Sequence, residues 1–265
     1  VWYVHTDEEI RIQRLMKNRG YTREKSLGII GNQASEEYFR AHTDFVVENN
    51  SLKSLVINND YKIDCDVAVL AIGHSARDTF EKLNSIGIKM EAKNFAVGVR
   101  IQHPQEMIDK KMYGFSHRES KVLAASPYKL TGHADNGRSV FSFCMCPGGY
   151  VVDASSEEGR IAVNGMSYSK RDGINANSAI IVSVTKEDYI GDDPLAGMRF
   201  QRILEEKAYE EGRGAIPVQL FGDYCKNIKS EKFGEVTPCI KGKYNFGNIN
   251  NIFPKEINAA LQQCI

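Results

Sequence analysis

Two thiols, a glycine pair and three asparagines fall within one apolar stretch, Phe141 to Ile181. Cys144 and Cys146 stand two apart in a strand-like segment, so their side chains are expected on one side of a sheet. Two readings of the pair stand. A thiol beside a cation is a nucleophile or redox group, and Arg100 or Arg160 would have to supply that cation. Free cysteines also serve as small buried hydrophobes, and a direct bond between positions i and i+2 of an extended strand is geometrically awkward. The adjoining Pro147-Gly148-Gly149-Tyr150 gives a backbone bare enough for a planar ligand to approach, or else a bulge or hairpin turn. Asn164, Asn175, Asn177 and Ser178 offer amides and a hydroxyl to orient a polar substrate, although Asx turns use the same residues. Tyr168 is expected as a core aromatic with a wet hydroxyl. The substrate-side candidates are therefore Gly148, Gly149, Tyr150, Asn175 and Asn177.

A second chemical feature lies upstream. Val67 to Ile72 is apolar at every position, which predicts a strand covered on both faces, and Gly73 ends it before a helix with Ser75 as N-cap and Gly87 as its stop. Ligands of open α/β sheets bind at such carboxyl strand ends, so the turn of Ala71, Ile72, Gly73 and His74 has the geometry that binds a dinucleotide. A sharp strand-to-helix turn needs Gly73 equally. The chain has no glycine-rich phosphate loop.

Further elements must position these groups. Residues 43 to 73 predict a short meander punctuated by Asn49-Asn50 and Asn58-Asn59-Asp60. Phe95 to Pro104 predicts a strand, with Pro104 opening a charged helix to about Tyr113. KVLAASPYKL, RSVFSFCMCP, GGYVVDAS, RIAVNGMSYS and SAIIVSV then read as strands of an antiparallel sheet or partial barrel. Pro194 to Gly212 and the closing FPKEINAALQQCI read as helices. The fold class is thus α+β (mixed α/β), with a first domain over 1–94 and a second over 95–265.

Composition narrows the function. Lys plus Arg equals Asp plus Glu at 34 each, so no global field draws the chain to nucleic acid or anionic lipid. No apolar run reaches the ~20 residues of a membrane span. Six scattered cysteines without a Cys-x-x-Cys pair suit a reducing cytosol, and with histidines at least 14 residues apart no metal site can be drawn.

AIGHSARDTFEKL, FAVGVRIQHPQEMID, FSFCMCPGGYVVDASSEEGRIAVNGMSYS, NANSAIIVSV and IPVQLFGDY occur in this order. Together they resemble the bacterial FAD-dependent dehydrogenases described as NAD(FAD)-utilising, from about Asp66 to Pro254. The resemblance implies a glutathione-reductase-like FAD fold interrupted by an inserted domain. On that comparison, residues 1–94 are a partial FAD-binding segment and residues 95–265 an inserted substrate-side domain. FAD is the implied cofactor, with NAD(P)H as electron donor and a small molecule as substrate. Ala71 to His74 would lie beside the flavin, while the amino-terminal Gly-x-Gly-x-x-Gly unit and a closing glycine-rich segment are missing from the match. The expectation is a fragment of an FAD-dependent oxidoreductase that works with the remaining segments of its own FAD fold. The alternative is a noncatalytic binding or interaction module derived from such a fold.

Overall fold

A computed structural model describes residues 2–43, 45–48, 54–65 and 67–265. The chain divides into two units, residues 1–89 and 90–265.

In the first unit, strand β1 (Trp2–His5) leads to helices α1 (Glu8–Arg19), α2 (Arg23–Gly31) and α3 (Glu36–Ala41). The Asp7 carboxylate accepts from the Glu9 N–H at the start of α1, and Gly20 closes that helix at φ 63°. Strand β2 (Phe45–Glu48) pairs in parallel with β1, whereas β3 (Ser54–Ile57) and β4 (Tyr61–Asp64) form a hairpin. The expected meander is thereby corrected: β2 belongs to β1 and not to β3. Asn58 and Asn59 turn the three-residue hairpin loop at φ 53° and 65°, left-handed conformations that asparagine tolerates. The Asn49-Asn50 turn, the start of the predicted second meander strand and Asp66 lie outside the described residues.

The buried strand over Val67 to Ile72 is a second correction. Residues 67–72 have no strand pairing, and Val69 is 84% exposed. An apolar run becomes a covered strand only where neighbours accept its backbone hydrogen bonds, and the described residues supply none. Helix α4 (Arg77–Ser85) follows and ends at Gly87 with φ 82°. Its cap is Ala76 without a side-chain bond; Ser75 instead bonds the His74 ring, so the N-cap expectation for Ser75 also fails.

The second unit is built on an open antiparallel sheet ordered β5 (Phe95–Pro104), β10 (Asn175–Val184), β7 (Ser139–Cys146), β6 (Thr131–His133). Between β5 and β6 runs helix α5 (Gln105–Tyr113), as Pro104 predicts. KVLAASPYKL is not a strand: Pro127 removes a ladder donor, and pairing starts only at Thr131. Strands β8 (Gly149–Asp153) and β9 (Val163–Ser167) form a hairpin, to which β12 (Ile240–Lys241) adds in parallel; β11 (Ile216–Val218) and β13 (Tyr244–Phe246) make a separate parallel pair. No barrel closes. Helices α6 (Ala196–Glu211), α7 (Phe221–Cys225) and α8 (Lys255–Cys264) complete the α+β fold.

Alternation along the central strands decides the layers. Ile180, Val182 and Val184 of β10 bury against Phe200, Leu204 and Ala208 of α6 and Ile257, Ala260 and Leu261 of α8, with Phe95, Val97, Val99 and Ile101 of β5 beside them. The intervening residues Arg100 and Gln102 therefore face away from the helices, toward the sheet of β8 and β9. Gly98 lets the chains close, since a Cβ there would lie 2.0 Å from the Ile180 carbonyl oxygen.

Beyond β10, Arg138 grips Asp188 with both terminal nitrogens and also donates to the Ser183 carbonyl at 2.8 Å. These guanidinium hydrogen bonds hold the Asp188 carboxyl below its usual range, against the opposing effect of burial. A lowered folded pKa contributes stability above the unfolded value of about 3.9 and loses it as the pH falls through the folded value. Asp188→Asn is expected to cost roughly 1.5–3 kcal/mol at neutral pH by urea denaturation. The gap to the unsubstituted protein should close below about pH 4, and a pH-independent gap would show that the charge is irrelevant.

Candidate functional site

The predicted residues converge on one cation. Arg100, on the sheet face away from the helices, donates through Nη1 to the Asn177 Oδ1 at 2.6 Å and the Cys144 carbonyl at 3.1 Å, and through Nη2 to the Asn164 Oδ1 at 3.1 Å. Its Nη1 also lies 3.8 Å from the Cys146 Sγ. Of the two arginines weighed for the thiols, Arg100 is the neighbour. Arg160 instead pairs with Glu157 and Glu206.

The local backbone explains how these groups meet. Phe143 pairs with Ala179 but Cys146 with Asn177, so β7 spends three residues where β10 spends two. Cys144 takes up the excess at φ 50°, a left-handed conformation that is rare outside glycine. This bulge turns the Cys144 carbonyl onto Arg100. It also breaks the alternation behind the same-side expectation for the two thiols: Cys144 is exposed, while Cys146 is half-buried and donates to the Cys144 carbonyl at 3.3 Å. Gly165 of β9 leaves the room, because a Cβ there would lie 2.1 Å from both Arg100 Nη1 and Asn177 Oδ1. Asn177 is fully buried and its Nδ2 has no acceptor among the described residues. A buried amide donor left open is costly and marks a place where another oxygen would be welcome.

The other candidates are placed differently. Gly148 (φ 51°) and Gly149 are buried, and their Cβ positions are already occupied by the carbonyl oxygens of Arg171 at 1.9 Å and Met166 at 2.3 Å. Their bareness serves the chain's own close packing. The Gly148 N–H donates to Gln105 Oε1 at 2.8 Å, and Asn175 Nδ2 donates to the Thr237 carbonyl at 2.8 Å. Tyr150 and Tyr168 stand 5.2 Å apart with the Lys241 ammonium over both rings, at 4.1 and 4.6 Å. Tyr168 is exposed and bonds Lys241, whose hydrogen bond and charge hold the phenol below its usual pKa. The expectation of a core aromatic at Tyr168 is corrected accordingly, because the end of β9 leaves it in solvent. In the first unit, Gly73 adopts φ 70° with nothing within 4 Å of its Cβ position, and Ala71, Gly73 and His74 are exposed while Ile72 is partly covered.

Several polar groups were not anticipated. His103 Nε2 lies 2.9 Å from the Tyr128 hydroxyl, and burial lowers the His103 pKa while raising that of Tyr128. Gln102 accepts the Cys239 N–H at 2.8 Å and Lys241 caps the tyrosine pair. None carries a sequence signal, since each meets its partner across a long chain separation. Among the described residues no three His, Cys, Asp or Glu side chains converge to hold a metal ion, and no helix is long and apolar enough to cross a membrane.

Residues 94–265 match the protein family described as "FAD-dependent protein, C-terminal domain-like". The chain is also similar to an uncharacterized protein of Clostridium beijerinckii, 48% identical over 221 residues, which is 82% of this chain and 41% of that relative. The chain therefore spans less than half the length of the relative it matches.

The exposures predict an order of reaction for the thiols. Brief iodoacetamide treatment followed by peptide mass spectrometry should show Cys144 alkylated well before Cys146. Gly165→Ala should displace Arg100, cost roughly 1–3 kcal/mol and speed Cys146 alkylation. Equal rates at the two thiols in the parent chain would contradict the geometry.

Proposed function

Because the chain belongs to the FAD-dependent protein C-terminal domain-like family, we propose that it is part of an FAD-dependent oxidoreductase, a dehydrogenase with a glutathione-reductase-like FAD fold, and supplies walls of its flavin and substrate sites. The observation that carries this reading is the Arg100 cluster. Among the described residues its guanidinium is held by three neutral oxygens and the Cys146 sulfur, so its charge is left to stabilise a negative group on a bound molecule. Asn177 Nδ2 adds a buried donor in search of an acceptor. Flavin, when bound, supplies the hydride chemistry, and the protein's part is orientation and electrostatics.

Gly73 fits that group. Its left-handed turn leaves open space where any other residue would put a Cβ, so a flat ligand can approach the backbone between Ile72 and His74. The exposed apolar run before it, Val67, Val69 and Leu70, fits a strand covered by the rest of the intact protein's FAD fold. Unit two would then serve as the substrate-side domain, with a small molecule bearing a carboxylate or other electron-rich oxygen as substrate and NAD(P)H as electron donor. Among the described residues Cys146 is the nucleophile hydrogen-bonded to the cation, and Tyr128, which also feels the Arg100 charge, bonds His103.

The test is the visible absorption of the purified chain after incubation with FAD and desalting. Retained flavin absorbance is expected in the parent chain, with affinity weakened at least ~10-fold in Gly73→Val. A folded but colourless chain would favour a noncatalytic binding module over the flavoprotein reading. In the full-length protein, the Cys144→Ser/Cys146→Ser double variant separates packing from chemistry. Unchanged flavin reduction would leave the thiols a structural role, and slowed reduction would assign them to the chemistry.

A further inference from the structure

A cleft of about 540 Å³ opens beside α5 and the loop after it, in the size range of small-molecule sites. Its floor is a buried carboxylate and an imidazole. Asp109 is wholly buried and its oxygens accept four hydrogen bonds: from the Ser126 N–H (3.0 Å) and Gln105 Nε2 (2.8 Å) on Oδ1, and from the His117 N–H (3.1 Å) and His117 Nδ1 on Oδ2. Burial works to raise its pKa, but these donors prevail and hold the carboxyl well below its usual range. Asp109 is thus spent on positioning and has no oxygen left for a ligand. What it fixes is the ring: with the proton held on Nδ1 toward the carboxylate, the lone pair of a neutral His117 sits on Nε2. Nε2 takes part in none of the hydrogen bonds found among the described residues, and the ring lines the cleft with 11% of its side chain exposed.

The lining decides what kind of molecule would use that acceptor. Glu106, Glu119 and Glu235 face the cleft against a single guanidinium, Arg118, which is tied to the carbonyls of Asp172 and Gly173 at 2.8 and 3.2 Å. Glu106 pairs with Lys110 outside the lining, and Glu119 accepts the Ser116 N–H. The local field favours a positive ligand and opposes an anion. Among the described residues no three metal-ligating side chains converge, so an organic cation suits the donor set better than a metal ion.

We propose that this cleft binds a small primary amine as its ammonium ion, with His117 Nε2 accepting one N–H and the glutamates balancing the charge. Asp109 and Gln105 are positioning residues for that contact. Gln105 also accepts the Gly148 N–H, which ties the cleft floor to the glycine turn. The inference is independent of flavin binding.

Heteronuclear NMR of the His117 ring, titrated at neutral pH with butylammonium chloride, butanol and sodium butyrate, tests it. Butylammonium should shift the resonance saturably, with the other two at least ~5-fold weaker. Glu235→Gln, on an exposed loop outside the Asp109 network, should weaken butylammonium ~3-fold, and His117→Asn, followed by calorimetry, at least as much. Tighter binding of butyrate, equal response to all three probes, absence of saturation, or unchanged affinity in both variants would overturn the proposal.

Discussion

A guanidinium held between two sheets by neutral oxygens and a thiol sets the terms for the second unit. Arg100 leaves β5 on the face opposite the helices, and its terminal nitrogens meet one carbonyl from β7, one amide from β10 and one amide from β9. No single strand could satisfy it. To bring those oxygens into reach, β7 must bulge at Cys144, β9 must present glycine at 165, and Asn177 must be buried on the sheet face away from the helices. Each of these departures from regular sheet carries a cost. They make sense together, because a half-buried cation without acceptors would cost more than the bulge and the unpaired amide combined.

The same constraint explains one of the glycines. Gly98, Gly148, Gly149 and Gly165 stand where another part of the chain already fills the Cβ position. Gly165 lets β9 approach Arg100 and Asn177 of the other sheet, whereas Gly98 and Gly149 close on a neighbouring strand of their own sheets and Gly148 on the Arg171 carbonyl. Gly73 is the contrasting case: like the helix-closing Gly20 and Gly87, it takes a left-handed turn with open space beside it. There the backbone conformation, and not close packing, accounts for the glycine.

Much of the fold was legible because local pattern and tertiary environment agree. Pro104, Gly87 and the Asn58-Asn59 turn act within a few residues of themselves, and the alternation of β10 needs only one covered face. Val67 to Ile72 misled for the opposite reason. Its apolar character is real, but a strand is a relation to neighbours, and composition cannot report whether the neighbours are present. Among site residues, the pairing of Arg100 with Cys146 was open as one of two arginines, since sequence shows which face a residue takes and not what lies across from it. The bulge at Cys144 was invisible, because positive φ on a non-glycine residue is imposed by its partners.

The Asp109–His117 pair extends this point. The two residues are eight apart on a helix and the turn after it, a spacing with no periodic signature, and the pair is assembled by Ser126 and Gln105 from further along and before. A carboxylate that receives four N–H groups is too well satisfied to be a reactive group, yet that satisfaction is what orients the imbalanced partner beside it. The cation at Arg100 and the imidazole at His117 are therefore built by opposite means. Among the described residues Arg100 meets neutral oxygens and a thiol and no carboxylate, while a saturated carboxylate takes the Nδ1 of His117 and leaves Nε2 without a hydrogen bond. Gln105 joins the second arrangement to the glycine turn through Gly148, so the backbone that closes the sheet also holds the floor of the cleft.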